Sequence, residues 1–421
     1  MALAISLAKV AWQPSDTSRV ILPLTGVHVA MFGYDLAHPD CLLHADRADE
    51  RLQVILGLPA AVARGETLSY IAGHGIAGDW LPQGLVYLLG GQYLLIALQV
   101  TLTLFSVVWL SDIGRRVGLS ESAAAKAALL YGLLPQTLVF PHQLASEALF
   151  VPLLVLGFRD AGLRAGVAIG LATLVRPITM LWPLIHVFAK RERGPYLALA
   201  CAPLLLWMSV VFIATGEFSM GRSSHDLGTN LYLRLQRIGA ELPPSERPRE
   251  RPAGERRATL GDYVAFTMAH PMLTAKFAVR DMAVMGFKSG IERVVLDYLD
   301  LYPEQRDELQ DEYGGWRSRV DRGGVQALLE LVRSQPAVLI SSAVAGAIAF
   351  TLLMLFAVYG AVRWARNPER LALVGLVIYI FVTVQAVDAA QSRLRAPAEF
   401  AICLLAVAGW FAWRRRERHG G

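Results

Sequence analysis

Three carboxylates, Asp46, Asp49 and Glu50, stand together just beyond the first apolar stretch of the chain. Spaced three and four residues apart, they share one face if 47–56 is helical. A carboxylate pair beside a bilayer surface can act as a general base or hold a divalent cation next to a lipid phosphate. Acids at the positive end of a solvated helix follow the same pattern, so spacing alone leaves both roles open. Glu147, in PHQLASEALF, lies inside an apolar run. A carboxylate there is costly and is expected to face the interior beside a partner, with His142, Gln143 or Arg176 as candidates. Arg176 either closes that buried pair or lines a substrate path. In QSRLRAPAEF, Arg393 and Arg395 immediately precede another apolar run. Their planar donor forks suit phosphate or pyrophosphate oxygens, with lipid head groups and loop carboxylates as the other partners. Lys288 and Arg280 are further cations for the same task, whereas His270, before Pro271, reads as a packed turn residue.

The elements that must position these groups are membrane helices. Of 421 residues, 54% are hydrophobic and 18% charged, and mean hydropathy is +0.42. The bilayer core needs roughly 20 apolar residues per helical crossing, and candidate crossings fall at 19–34, 93–110, 122–140, 145–158, 162–181, 178–189, 196–213, 337–358, 371–387 and 399–412. Several are too short to cross alone, and the overlap at 176–183 reads as two helices meeting at a proline-marked turn. A soluble helical protein would have to hide runs such as 338–358 completely. The reading is an all-α polytopic membrane protein: an N-terminal bundle at 1–214, an outer region at 215–335, and C-terminal crossings with a basic tail at 336–421.

Topology follows from arginine placement. Arg115 and Arg116, Arg159 and Arg164, Lys190 with Arg191 and Arg193, Arg363 with Arg366 and Arg370, and the run 414–418 all fall at alternate ends of the proposed crossings. That side is expected to be cytoplasmic, in an inner membrane. Outside then lie 37–89, His142, Gln143, Arg176, the long 215–335 segment and 392–397. The net charge of +5 largely expresses this bias and gives no reason to invoke nucleic acid. No cleavable signal is visible, so the first crossing is expected to remain as an anchor. Cys41, Cys201 and Cys403 have no repeated spacing and outline neither a metal cluster nor a disulfide framework. No Gly-rich loop stands between a strand and a helix, which argues against a nucleotide-sugar donor.

Both outer regions carry helical spacing. The stretch 52–63 reads as a short amphipathic helix near the membrane surface, followed by Gly-rich turns at 73–78 and re-entry at Trp80. In the long region, 243–252 is proline-rich with alternating Arg and Glu, and is expected to be an irregular, flexible linker. Helical spacing returns at 260–285 and 291–302, an expected interfacial pair.

Taken together, these segments resemble the membrane-embedded glycosyltransferases that use polyprenyl-phosphate-linked sugars, the GT-C fold class of protein O-mannosyltransferase-like and aminoarabinose-transferase-like enzymes. Asp49 and Glu50 are similar to the acidic pair of that family's first outer loop, and GDWLPQGLVYLLGG to the stretch returning to a crossing. PHQLASEALFVPLLVLG and LATLVRPITMLWPL resemble its fourth and fifth crossings, GTNLYLRL and AHPMLTAKF its long outer loop, and QSRLRAPAEF its late arginine-containing segment. The resemblance implies a GT-C-like helix bundle with interfacial helices in two outer loops. It also implies inverting transfer at a sugar C1, with Asp49 deprotonating or orienting an acceptor hydroxyl while Arg395, Arg393 or Arg176 stabilises the departing phosphate. The acceptor would be a lipid, a glycan or a protein, membrane lipids would surround the bundle, and a divalent cation is the one cofactor to consider. Gln53 stands where the family usually has an aromatic, Asp46 offers a second carboxylate, and the chain is short for the class. A polysaccharide polymerase or ligase, or a transporter or flippase, are the alternatives; no inverted repeat supports transport.

Overall fold

The computed structural model describes residues 17–43, 48–75, 77–160, 162–190, 192–252, 255–287, 289–291, 294, 298–299, 326, 330, 333, 336–364, 366–384 and 392–419. Asp46 and Lys288 lie outside them, as do most of the expected helix at 291–302 and the segment 300–325.

The first helix, α1 (Thr17–Ala37), ends before His38 and Pro39, where a 3-10 turn (Pro39–Leu43) takes over. Next, α2 (Ala48–Ala63) carries Asp49 and Glu50 in its first turn and stops at Gly65, whose φ of 74° suits a residue without Cβ. After the short α3 (Thr67–Gly73) comes α4 (Ala77–Arg116), two helices joined across Gly90 and Gly91. Its apolar part, Trp80–Arg116, has 37 residues. At about 1.5 Å per residue that is far longer than a bilayer core, so the break at the two glycines separates a membrane-length helix from an N-terminal extension. The expected crossing at 93–110 lies wholly on one side of that break.

Among the described residues, five helices are long and apolar enough to cross a membrane: α1, α4, α10 (Arg193–Thr215), α14 (Ala337–Trp364) and α16 (Ala396–His419). A sixth crossing forms only if α5 (Glu121–Gly132) and the segment from α6 (Pro135–Val139) to His142 count as one, bent by 67°. The protein is thus a mostly helical, polytopic membrane protein, with fewer unbroken crossings than the ten apolar stretches implied. The rest are interrupted. α7 (Glu147–Arg159) and α8 (Leu163–Val175) have 13 residues each and α15 (Pro368–Thr383) has 16. Between 176 and 190, 3-10 turns flank the five-residue α9 (Trp182–His186). Proline explains much of this: Pro135 and Pro177 force the residue before them out of helical geometry, as the extended backbone at Leu134 and Arg176 shows.

The bundle closes through small residues. A Cβ at Gly360 of α14 would strike the Leu405 carbonyl of α16, and one at Gly409 the Phe356 carbonyl. Likewise Gly166 and Gly170 let α8 approach the Tyr196 and Ala200 carbonyls of α10. Such close crossings replace the hydrophobic driving force that lipid does not supply. Of the crossing helices α16 is the most enclosed, with 78% of its apolar stretch buried against 17% for α10. Outward-facing Leu206 and Ile213 on α10 and Ile348 and Leu355 on α14 form the exposed surface that lipid would cover.

One end of the bundle is cationic. Arg116 donates to the Phe158 and Arg159 carbonyls and pairs with Glu369 at 3.1 Å. Arg159 reaches Asp112 at 3.0 Å, Lys190 reaches the Asp160 carbonyl at 3.0 Å, and Arg370 the Val117 carbonyl at 2.7 Å.

The region after α10 contains α11 (Arg222–Gly239), α12 (Leu260–Ala269) and α13 (Pro271–Phe287). A capping box starts α12: Thr259 Oγ1 accepts from the Asp262 N–H at 3.0 Å, and Asp262 Oδ2 accepts from the Thr259 N–H at 2.8 Å. The proline-rich stretch has little regular structure, as expected, yet it is tied to α11. Gln236 Nε2 donates to the Pro248 carbonyl at 3.2 Å, and the Arg251 N–H donates to the Tyr232 hydroxyl at 2.9 Å.

Candidate functional site

Opposite the cationic end, polar side chains from distant parts of the chain converge. His28 and Asp35 lie seven residues apart on α1, two turns along one face. His142 ends the 3-10 turn Phe140–His142, which exists because the α5–α6 bend redirects the chain across the bundle. Its Nδ1 lies 2.5 Å from Asp35 Oδ2, and its Nε2 lies 3.0 Å from His28 Nδ1. The two imidazoles stack with centroids 5.3 Å apart. A carboxylate accepts only, so Nδ1 of His142 carries a proton toward Asp35. In the neutral ring Nε2 is then the acceptor for His28. Tyr298 brings its hydroxyl to 2.9 Å from both Asp35 Oδ1 and the Met31 carbonyl oxygen. All three α1 and turn residues are buried. This is a carboxylate–imidazole–imidazole chain along which a proton can be held or passed.

The linker that follows is held from α4. Gln83 Nε2 donates to the Ala145 carbonyl at 2.8 Å. With its amide nitrogen toward the linker, Gln99 donates to the Pro141 carbonyl at 2.9 Å and accepts from Gln83 at 2.8 Å. Gln143, fully within this packing, contributes its backbone carbonyl to the same amide at 3.2 Å. Arg51 of α2 reaches the Leu144 carbonyl at 3.2 Å, and the Leu144 N–H donates to Leu42 at 2.9 Å. The first turn of α2 therefore sits beside this linker, with Asp49 and Glu50 exposed to solvent.

Two ion pairs lie deeper. Of the partners expected for Glu147, the structure supplies Arg176, whose Nη1 donates to Oε1, while Ser146 Oγ reaches Oε2 at 3.3 Å. Arg395, in the turn Ser392–Arg395, is fully buried. Its Nε donates to Glu399 Oε1 at 3.1 Å, its Nη1 to the Met285 carbonyl, and its guanidinium lies 3.6 Å from the Phe350 ring centroid. That geometry fastens α16 to α13 and α14. The backbone of Arg393 belongs to the same turn, and its side chain lies outside the described positions.

Arg280 belongs to another group. Its guanidinium lies 4.4 Å from the Phe277 ring centroid, with those of Arg234 and Arg237 at 6.0 and 5.8 Å. Asp281 accepts from Arg234 and, at 3.3 Å, from Arg237. This joins α11 to α13.

The structure thus brings His142, Gln143, Glu147 and Arg176 into one polar seam, with Asp49 and Glu50 at its rim and Arg280 on α13. Asp35, His28, Tyr298 and Glu399 were not anticipated. The available signal was ionisable residues within apolar runs, and ending the first crossing at 34 left Asp35 just past the boundary. Among the described residues, no set of three or more His, Cys, Asp or Glu side chains converges as metal ligands, so no residue is assigned to a divalent cation. Among them Cys201 and Cys403 are free thiols. No protein-family profile, curated protein or solved structure matches the chain.

Proposed function

We propose that this chain is a membrane glycosyltransferase of the GT-C type. It would take a sugar from a polyprenyl-phosphate-linked donor and pass it, with inversion at C1, to an acceptor hydroxyl or amine at the outer face of the cytoplasmic membrane. The observation that carries the reading is the buried Asp35–His142–His28 chain at the bundle end opposite the cationic one. It joins a carboxylate to two imidazoles in one hydrogen-bonded chain, the kinds of group that acceptor deprotonation uses. Asp35 is the base this geometry favours. Asp49 and Glu50, at the water-facing start of α2 beside the same linker, are the competing carboxylates. Tyr298 covers Asp35, so an acceptor reaches the carboxylate only after displacing that hydroxyl. Arg176, paired with Glu147 and with part of its side chain exposed, would be the arginine that meets a departing phosphate.

Incubating the purified protein with polyprenyl-phosphate sugars and following release or transfer of the sugar tests this directly. Turnover that vanishes in Asp35→Asn supports it, and absence of any turnover across donor sugars and acceptors opposes it. A transporter is the second reading, favoured by the ion pairs Glu147–Arg176 and Glu399–Arg395 inside the bundle. A carrier would move a lipid-linked or soluble substrate across proteoliposomes with the glycosidic bond intact.

A further inference from the structure

Within the bundle is a cavity of about 20 Å³, and every residue lining it is buried. Its wall is polar on several sides: Thr103 from α4, Tyr131 from α5, Gln136 and Thr137 from α6, Glu147 from α7 and Glu399 from α16. Gln136 is 1% exposed, and neither atom of its amide has a hydrogen-bond partner among the described residues. Glu399 is equally buried; Arg395 serves its Oε1, while Oε2 has no such partner. In a helix bundle surrounded by lipid, neither side chain can turn to bulk water for relief.

These groups define what fits between them. The Glu399 and Gln136 oxygens need a donor, and the Gln136 nitrogen needs an acceptor. A cation would satisfy the oxygens and repel the amide N–H groups, and an apolar group would satisfy none. Water does both, and a space above about 10–15 Å³ with two to four polar partners is what a buried water requires. We propose that this cavity is a water-binding site in which one buried water accepts from Gln136 Nε2 and donates to Glu399 Oε2. Glu147 lines the same space, so the water lies beside both the Glu147–Arg176 and the Glu399–Arg395 pairs and bonds directly to the second of them. The site stands on cavity geometry and holds whether the protein transfers sugars or carries a solute.

The test uses the full chain in lipid nanodiscs, imaged at a resolution where ordered waters are visible. A density peak within hydrogen-bonding distance of Gln136 and Glu399 is expected; an empty cavity overturns the proposal. Gln136→Met supplies an independent arm, because it keeps side-chain volume while removing both amide groups. If the amide binds water, the substitution strands that water and lowers the melting temperature by about 2–5 °C. If the cavity is dry, the same substitution removes a buried unsatisfied amide, and melting holds or rises. Replacing sodium with choline should leave the wild-type melting point unchanged, and a sodium-dependent rise would overturn water in favour of a cation. Should Gln136→Met fail to fold, the wild-type density decides.

Discussion

His142 touches Asp35 on one side and His28 on the other, which makes Asp35 the most demanding single residue to test. Asp35→Asn keeps the shape and a hydrogen bond but removes the proton-accepting oxygen. We expect it to lower turnover on a polyprenyl-phosphate sugar by about 10²-fold or more, with KM little changed. Asp49→Asn, in an exposed first turn, should retain most activity. The opposite order would move the base to Asp49. Glu147→Ala leaves Arg176 beside an uncompensated cavity wall, at a cost of about 1–3 kcal/mol after allowing for the part of Arg176 that reaches solvent. The double variant Glu147→Ala with Arg176→Met should recover melting temperature relative to Glu147→Ala alone. Equal melting of single and double variants would show that the pair is uncoupled. Glu147 and Arg176 were legible in the sequence because a charge inside an apolar run demands a partner nearby. The Asp35–His142 contact was not, because it joins residues 107 positions apart, and only the bend at Leu134 and Pro135 brings the second to the first.

At the scale of elements, apolar length made the long crossings readable, and tertiary breaks hid the short ones. Runs such as 337–364 declare themselves by composition, while 122–140 reads as one helix until Pro135 divides it. The 222–239 helix escaped notice because its signal is amphipathic in an otherwise greasy chain. Between α14 and α16, Gly360→Val would drive a branched side chain into the Leu405 backbone. We expect loss of the folded, monodisperse fraction on size exclusion; the nearby Ala357→Gly should remain folded, with modest destabilisation. Lys190 offers a pH readout at the α7 and α10 ends. Burial first, and the neighbouring Arg116 second, pull its ammonium from 10.5 down to about 8. Between those values the unfolded chain binds more protons than the folded one, so stability should rise as pH increases through that window. Thermal melts from pH 7.5 to 10 would show the rise in wild type and a flatter profile in Lys190→Met. An unchanged slope would assign it to another group.

For the whole molecule, we propose an orientation from the gathering of Arg116, Arg159, Lys190 and Arg370 at one end, with the α11–α13 region outside. A reporter placed after Gly261 should read the outer compartment, and reporters after Arg366 or at Gly421 the cytoplasm; Gly261 reading cytoplasmic would invert the assignment. The stretch tied along α11 by Gln236 and Tyr232 has a further consequence. It exposes Arg249, Arg256 and Arg257, none followed by proline, on backbone with almost no regular structure, the shape that a trypsin-like cleft accepts. Yet the helices on either side are clasped to each other through Arg234 and Asp281, independently of the peptide that links them. Mild trypsin should therefore cut the chain within this strip and leave its two large fragments together. The two fragments would co-elute as a functional, two-piece protein, and the same strip would be the natural place to split the gene and express its halves together.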